Sequence, residues 1–115
     1  MFIFRVFLGL SMLYAHGLPK LKKYSQLSSS FPDPLGIGSK VSLLLVIFSE
    51  VVCSIFLVLG FKTRLSLIPL IITMLVAAFI VHLDDPYSKK EMALLYLFGY
   101  ITIFFHEKRK NQENY

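Results

Sequence analysis

Four apolar stretches, separated by short polar clusters, organise this chain of 115 residues. From Met1 to Leu18 the charged or imidazole side chains are Arg5 and His16. Val41 to Gly60 holds only Glu50, and Leu65 to Leu83 only His82, with Pro69 near its start where a missing N–H is tolerated. A helix of about 20 apolar residues crosses the hydrocarbon of a bilayer, so each of these three stretches predicts a span. Met92 to Phe105 is shorter, and it crosses only with Glu91 and His106 at a thinned or snorkelled boundary.

The spacing between stretches sets the order of packing. Phe61–Arg64 and Asp84–Lys90 are short connections, which place consecutive helices antiparallel. Lys20–Lys40 is longer and rich in breakers, with Ser28-Ser29-Ser30, Pro32-Asp33-Pro34 and Gly36-Ile37-Gly38, and it predicts a loop with one short interfacial turn. The expected fold is all-α: a transmembrane four-helix bundle, up-down-up-down, with a longer first connection. The single domain covers 1–106, with spans at about 1–18, 41–60, 65–83 and 91–106. A polar basic tail, 107–115, is expected to fray. Ala15-His16-Gly17 loosely imitates a leader cleavage site, but Arg5 lies within the apolar run and not before it, so the segment is read as a retained span.

Composition agrees and excludes other classes. The apolar share is 56%, the charged share 17% and the mean hydropathy +0.67, too apolar for a water-soluble fold this small. One cysteine rules out a disulfide scaffold. The net charge of +5 clusters beside the spans, at Lys20-Leu21-Lys22-Lys23, Lys62-Thr63-Arg64, Lys89-Lys90 and Lys108-Arg109-Lys110. That placement matches anionic headgroups and topology control, and no nucleic-acid reading motif accompanies it. Alternating spans put six basic residues on each side, so the positive-inside rule gives no orientation.

Within the membrane, Glu50 stands out. An ionised carboxylate at mid-span costs at least about 2.5–3.5 kcal/mol, so it must be protonated, paired or wetted. Arg5, at a similar depth by helical rise, is its expected partner. The pair is either a proton-accepting or ligand-orienting site or a structural clasp between the first two helices. Arg5, Gly9, Met12 and His16 share one helical face, with Lys20 near it at the exit. Gly9 permits close helix approach or room for a headgroup. His16, His82 and Glu91 fall near one surface, with Lys20 and Asp84-Asp85 close by, and Gly9, His16, Lys20, His82 and Glu91 are the expected ligand pocket. Among haem, metal and quinone headgroup, the quinone fits best: two histidines at span ends are common and match a haem's depth only loosely, and no tight ligand spacing marks a metal. No metal site is assigned. The alternative is that these side chains simply sit in the wet interface. His106 lies at the opposite surface, and Cys53 reads as a small apolar filler. Tyr14, Tyr24, Tyr87 and Phe104-Phe105 are interface anchors, and the deeper Tyr96 and Tyr100 need hydrogen-bond partners.

Taken in order, these residues resemble the DoxX family of small four-helix membrane proteins, over nearly the whole chain. The pieces are Arg5-Val6-Phe7-Leu8-Gly9-Leu10, Gly17-Leu18-Pro19-Lys20-Leu21, Phe31 through Gly36-Ile37, Glu50 with Leu59-Gly60-Phe61-Lys62-Thr63-Arg64, His82, and Glu91-Met92-Ala93-Leu94-Leu95-Tyr96. Phe104-Phe105-His106 and the basic tail depart from the small residues and glycines expected there. The resemblance implies a bacterial cell (inner) membrane location, both termini in the cytoplasm, and an association with quinone-linked redox systems. It does not by itself make the chain an enzyme, and no catalytic residue follows from it. Three roles stand open: an accessory subunit of a redox system that holds a quinone or a partner subunit, a small transport module acting as a homo-oligomer, and a structural assembly factor.

Overall fold

A computed structural model describes residues 1–33 and 36–113. Pro34 lies outside the described residues, as do the side chains of Lys89, Lys108, Arg109 and Lys110. The fold is all-helical, with no strand among the described residues. Three helices are long and apolar enough to cross a membrane: the first (Phe2–Lys22), the second (Ser39–Leu59) and the third (Thr63–Val81). A fourth helix runs from Tyr87 to Glu113. Its apolar centre, Met92–Phe105, rises only about 21 Å at about 1.5 Å per residue, less than the hydrocarbon thickness.

The surface shows which solvent the helices face. Ile3 is 81% exposed, Leu59 71% and Phe98 65%, and the outward faces of all four helices carry similar residues. Lipid, unlike water, exacts no penalty for such a surface. Polar and small residues instead turn inward, with Ser42, Ser49, Ser54 and Ser66 all buried.

Glycines set how closely the helices approach. A Cβ on Gly9 would meet Val58 Cγ2 at 2.6 Å and the Ser54 carbonyl oxygen at 3.1 Å. On Gly17 it would meet the Glu50 carbonyl oxygen at 2.8 Å. The first two helices therefore run antiparallel, with Gly17 pressed on the backbone at Glu50. Gly99 of the fourth helix admits Leu8 in the same way. Away from the Glu50 level the centre is filled by Leu57, Leu67, Leu70, Tyr100 and Ile103, all fully buried.

Several boundaries differ from the hydropathy pattern. The third helix begins at Thr63, so Pro69 lies inside it instead of in its first turn. The fourth helix continues through the polar tail to Glu113, where fraying was expected. Its Glu, Lys, Arg and Gln residues are good helix formers, so an apolar stripe is not needed to extend it. The first connection contains the anticipated short turn, Tyr24–Leu27.

Candidate functional site

Glu50 is 3% exposed, and the Lys20 ammonium donates to its Oε1 at 2.6 Å. This corrects the expected Arg5–Glu50 pair. Arg5 lies fifteen residues before Lys20, about 22 Å along the helix, and its guanidinium rests against Gly60 at the other end of the second helix. Arg5 and Glu50 would share a depth only if the ends of the two apolar runs lay level with each other. The register set by Gly9 on Ser54 and Gly17 on Glu50 shifts the two helices, and carries Lys20 to the carboxylate. Because Gly17 and Lys20 are three apart, they share a face, and close approach at the first positions the second.

Beside this ion pair lies a cavity of about 330 Å³. Its wall is largely apolar, with Leu45, Val46, Ile72 and Val76, and its polar groups are Lys20, Ser42, Glu50, Thr73 and His82. Phe31, Pro32 and Ile37 of the first connection line it as a partial roof. Asp33 holds that roof in place. Its carboxylate accepts from the Gly38 N–H at 2.7 Å, the Ser42 hydroxyl at 2.9 Å and the Ile37 N–H at 3.0 Å. These bonds favour the ionised form and hold the Asp33 carboxyl below its usual range, the Gly38 bond contributing most. At the rim, His82 Nδ1 lies 2.8 Å from Asp85 Oδ2. Thr73 Oγ1 is hydrogen-bonded to Ser49 Oγ at 2.9 Å and to the Pro69 carbonyl at 2.8 Å, tying the second and third helices together on the cavity floor.

The three apolar helices share one irregularity. Each contains a π-helical turn: Leu13–Gly17 before Lys20, Phe48–Cys53 around Glu50, and Ala77–Val81 before His82. A π turn packs an extra residue into one turn, widening the helix and rotating the residues beyond it, and such turns gather at functional sites. Here all three border the cavity or lead into its polar residues.

The expected pocket residues divide among four places. Lys20 and His82 line the cavity. Gly9 is buried in the seam between the first two helices. The His16 ring packs edge-on against Tyr96, with centroids 5.5 Å apart. Glu91 lines a separate groove of about 590 Å³ between the first and fourth helices, with Ser11 and Ser88. Cys53 is buried and unbridged.

A family model, DoxX, matches residues 1–83. The chain belongs to the DoxX family. The match contains every residue that lines the cavity, from Lys20 to His82, and stops short of the fourth helix. The likeness read into Glu91–Tyr96 therefore lies beyond the matched residues. No curated protein and no solved structure matches the chain. Together with three helices fit to span a bilayer, membership makes this DoxX chain a membrane protein.

Sequence reasoning missed Gly17, Ser42, Thr73 and Asp33 as parts of the site. Ser42 and Thr73 carried a readable signal, since hydroxyls inside apolar spans face other helices or cavities. Asp33 was read only as part of a breaker cluster. Its role depends on the loop folding back on the second helix.

Proposed function

We propose that the cavity binds the headgroup of an isoprenoid quinone, and that the chain serves a membrane redox system as an accessory subunit. In this reading all four helices cross the inner membrane as an up-down-up-down bundle, with both termini in the cytoplasm. The observation that carries the proposal is a mostly apolar cavity with an ammonium–carboxylate pair set into its wall. A quinone ring is flat and apolar, with an acceptor oxygen on each side. The Lys20 ammonium and the His82 imidazole are donors in the same cavity, and Glu50 and Asp85 orient them. Reduction to the quinol takes two electrons and two protons. The electrons come from a redox partner subunit, while Lys20 and Glu50 hold protons at the ring.

A permeation module is the weaker reading. Beyond Glu50 the bundle is closed by Leu57, Leu67, Leu70 and Ile103, each with no exposed surface, so one chain offers a blind cavity and no path.

The test is mass spectrometry of quinones that co-purify with wild type, Glu50→Gln and Lys20→Gln in mild detergent. Near-stoichiometric quinone in wild type and a loss of about tenfold or more in either variant is the expected result, as for removal of one charge-assisted hydrogen bond. Bulk phospholipid alone in all three samples would reject the quinone site.

A further inference from the structure

The end of the molecule away from the cavity has a different chemistry. Arg5, Lys62 and Arg64 gather around the turn between the second and third helices. Gly60 opens that turn with φ 72°, and its missing side chain makes room for Arg5, whose Nη1 would lie 2.6 Å from a Cβ there. Lys62 is also left-handed, with φ 48°, the one non-glycine residue with positive φ among the described residues. Such a conformation costs on the order of 1 kcal/mol, and it persists only where the surroundings enforce it.

Each of these three cations lies over an aromatic ring. The Arg64 Cζ is 4.5 Å from the Phe104 centroid, the Arg5 Cζ is 5.6 Å from that of Phe2, and the Lys62 Nζ is 5.8 Å from that of Phe61. Among the described residues none of the three has an acidic partner, and the Nε atoms of Arg5 and Arg64 are both buried without a hydrogen bond. Rings hold the cations in place without neutralising them, so a fixed, unmatched positive charge sits at the membrane edge.

We infer that Arg5, Lys62 and Arg64 bind the phosphate of an anionic glycerophospholipid such as phosphatidylglycerol. Guanidinium groups present paired donors that match phosphate oxygens, and the ammonium adds a point charge. The occupant is a lipid and not free phosphate because apolar surface adjoins the cations on the bilayer side. Phe2, Leu59 and Leu65 are all more than 60% exposed there, ready to take acyl chains. The site is separate from the cavity and does not rest on the quinone reading.

Native mass spectrometry of the full chain tests this, with equal amounts of phosphatidylglycerol and phosphatidylcholine of the same acyl chains. Wild type is expected to retain phosphatidylglycerol preferentially. Each cation removed should lower that retention about fivefold, from roughly 1 kcal/mol per basic residue near an anionic surface. Arg64→Gln and Lys62→Gln supply the single variants. Lys62 is exposed, so Lys62→Gln keeps the fold even where an arginine variant does not. Lys22→Gln, at the opposite end, removes equal charge and should change nothing. Equal loss in that control, or unchanged retention in Lys62→Gln and Arg64→Gln, would overturn the site. Displacement of the retained phosphatidylglycerol by an equimolar amount of inorganic phosphate would overturn the lipid as its occupant.

Discussion

The two ends of this molecule handle charge in opposite ways. At the cavity end, Lys20 meets Glu50 at 2.6 Å, His82 meets Asp85, and Asp33 gathers three donors. At the Gly60 end, Arg5, Lys62 and Arg64 have rings beneath them and no acidic partner among the described residues. Depth explains the difference. A carboxylate buried mid-helix at Glu50 is on too short a side chain to reach the headgroups itself, so it requires a partner. Long basic side chains at a helix end can rest their stems on apolar surface and keep their heads near the headgroups. Paired charge suits a site that must orient a neutral ligand. Unpaired charge suits one that receives an anion.

Breaking the pair from its two sides should give the largest and most asymmetric effect. Lys20→Met leaves the Glu50 carboxylate buried with no cation, at a cost of about 3–5 kcal/mol, or of the smaller penalty for protonating it. Glu50→Gln leaves an ammonium on a side chain that is 26% exposed and can reach the interface, so its cost should be under about 2 kcal/mol. Denaturant unfolding in micelles measures both. Equal costs would mean that the pair contributes nothing beyond the volume of its side chains.

Next in size is Gly17→Ala. Its new methyl would meet main-chain atoms of Glu50, which cannot swing aside, and overpacking of this kind costs about 1–3 kcal/mol. Because the same contact carries Lys20 to Glu50, quinone retention should fall along with stability. Gly9→Ala should cost less, since the nearest atom there is the tip of the Val58 side chain and the Ser54 carbonyl oxygen lies farther off, at 3.1 Å. A Gly9→Ala variant as impaired as Gly17→Ala would show that helix approach in general matters, and not the register at the site.

The smallest effect concerns the roof. The Asp33 carboxyl is held below its ordinary value, so its folded-state pKa lies under its unfolded one. Its contribution is fully present above the ordinary carboxylate range and is lost as pH falls through the lowered pKa. Protease cleavage within the first connection should therefore quicken on acidification in wild type. In Asp33→Asn it should already be fast near neutrality and change little with pH. A cleavage rate independent of pH in wild type would remove Asp33 as the clasp.

Much of this was legible in the chain itself. Hydropathy runs gave the all-helical class and three helices fit to span a membrane, because lipid-facing composition is a property of each stretch alone. Glu50 declared itself in the same way, as a carboxylate that an apolar run cannot leave unattended. Its partner did not. Arg5 and Lys20 lie on nearly the same face of the first helix, and only the sliding register between two helices chooses between them. Gly9 and Gly17 fix that register through contacts across the interface, which no pattern within one helix encodes. The π turns are likewise invisible in hydropathy, since inserting a residue into a turn leaves the apolar run unbroken. Sequence determined which segments enter the membrane and which residue would need company there. Tertiary structure decided which cation supplies it, how a loop read as a breaker becomes a roof, and that Arg5 and Arg64 have no acidic partner among the described residues at the far end, because all three depend on distances between segments remote in the chain.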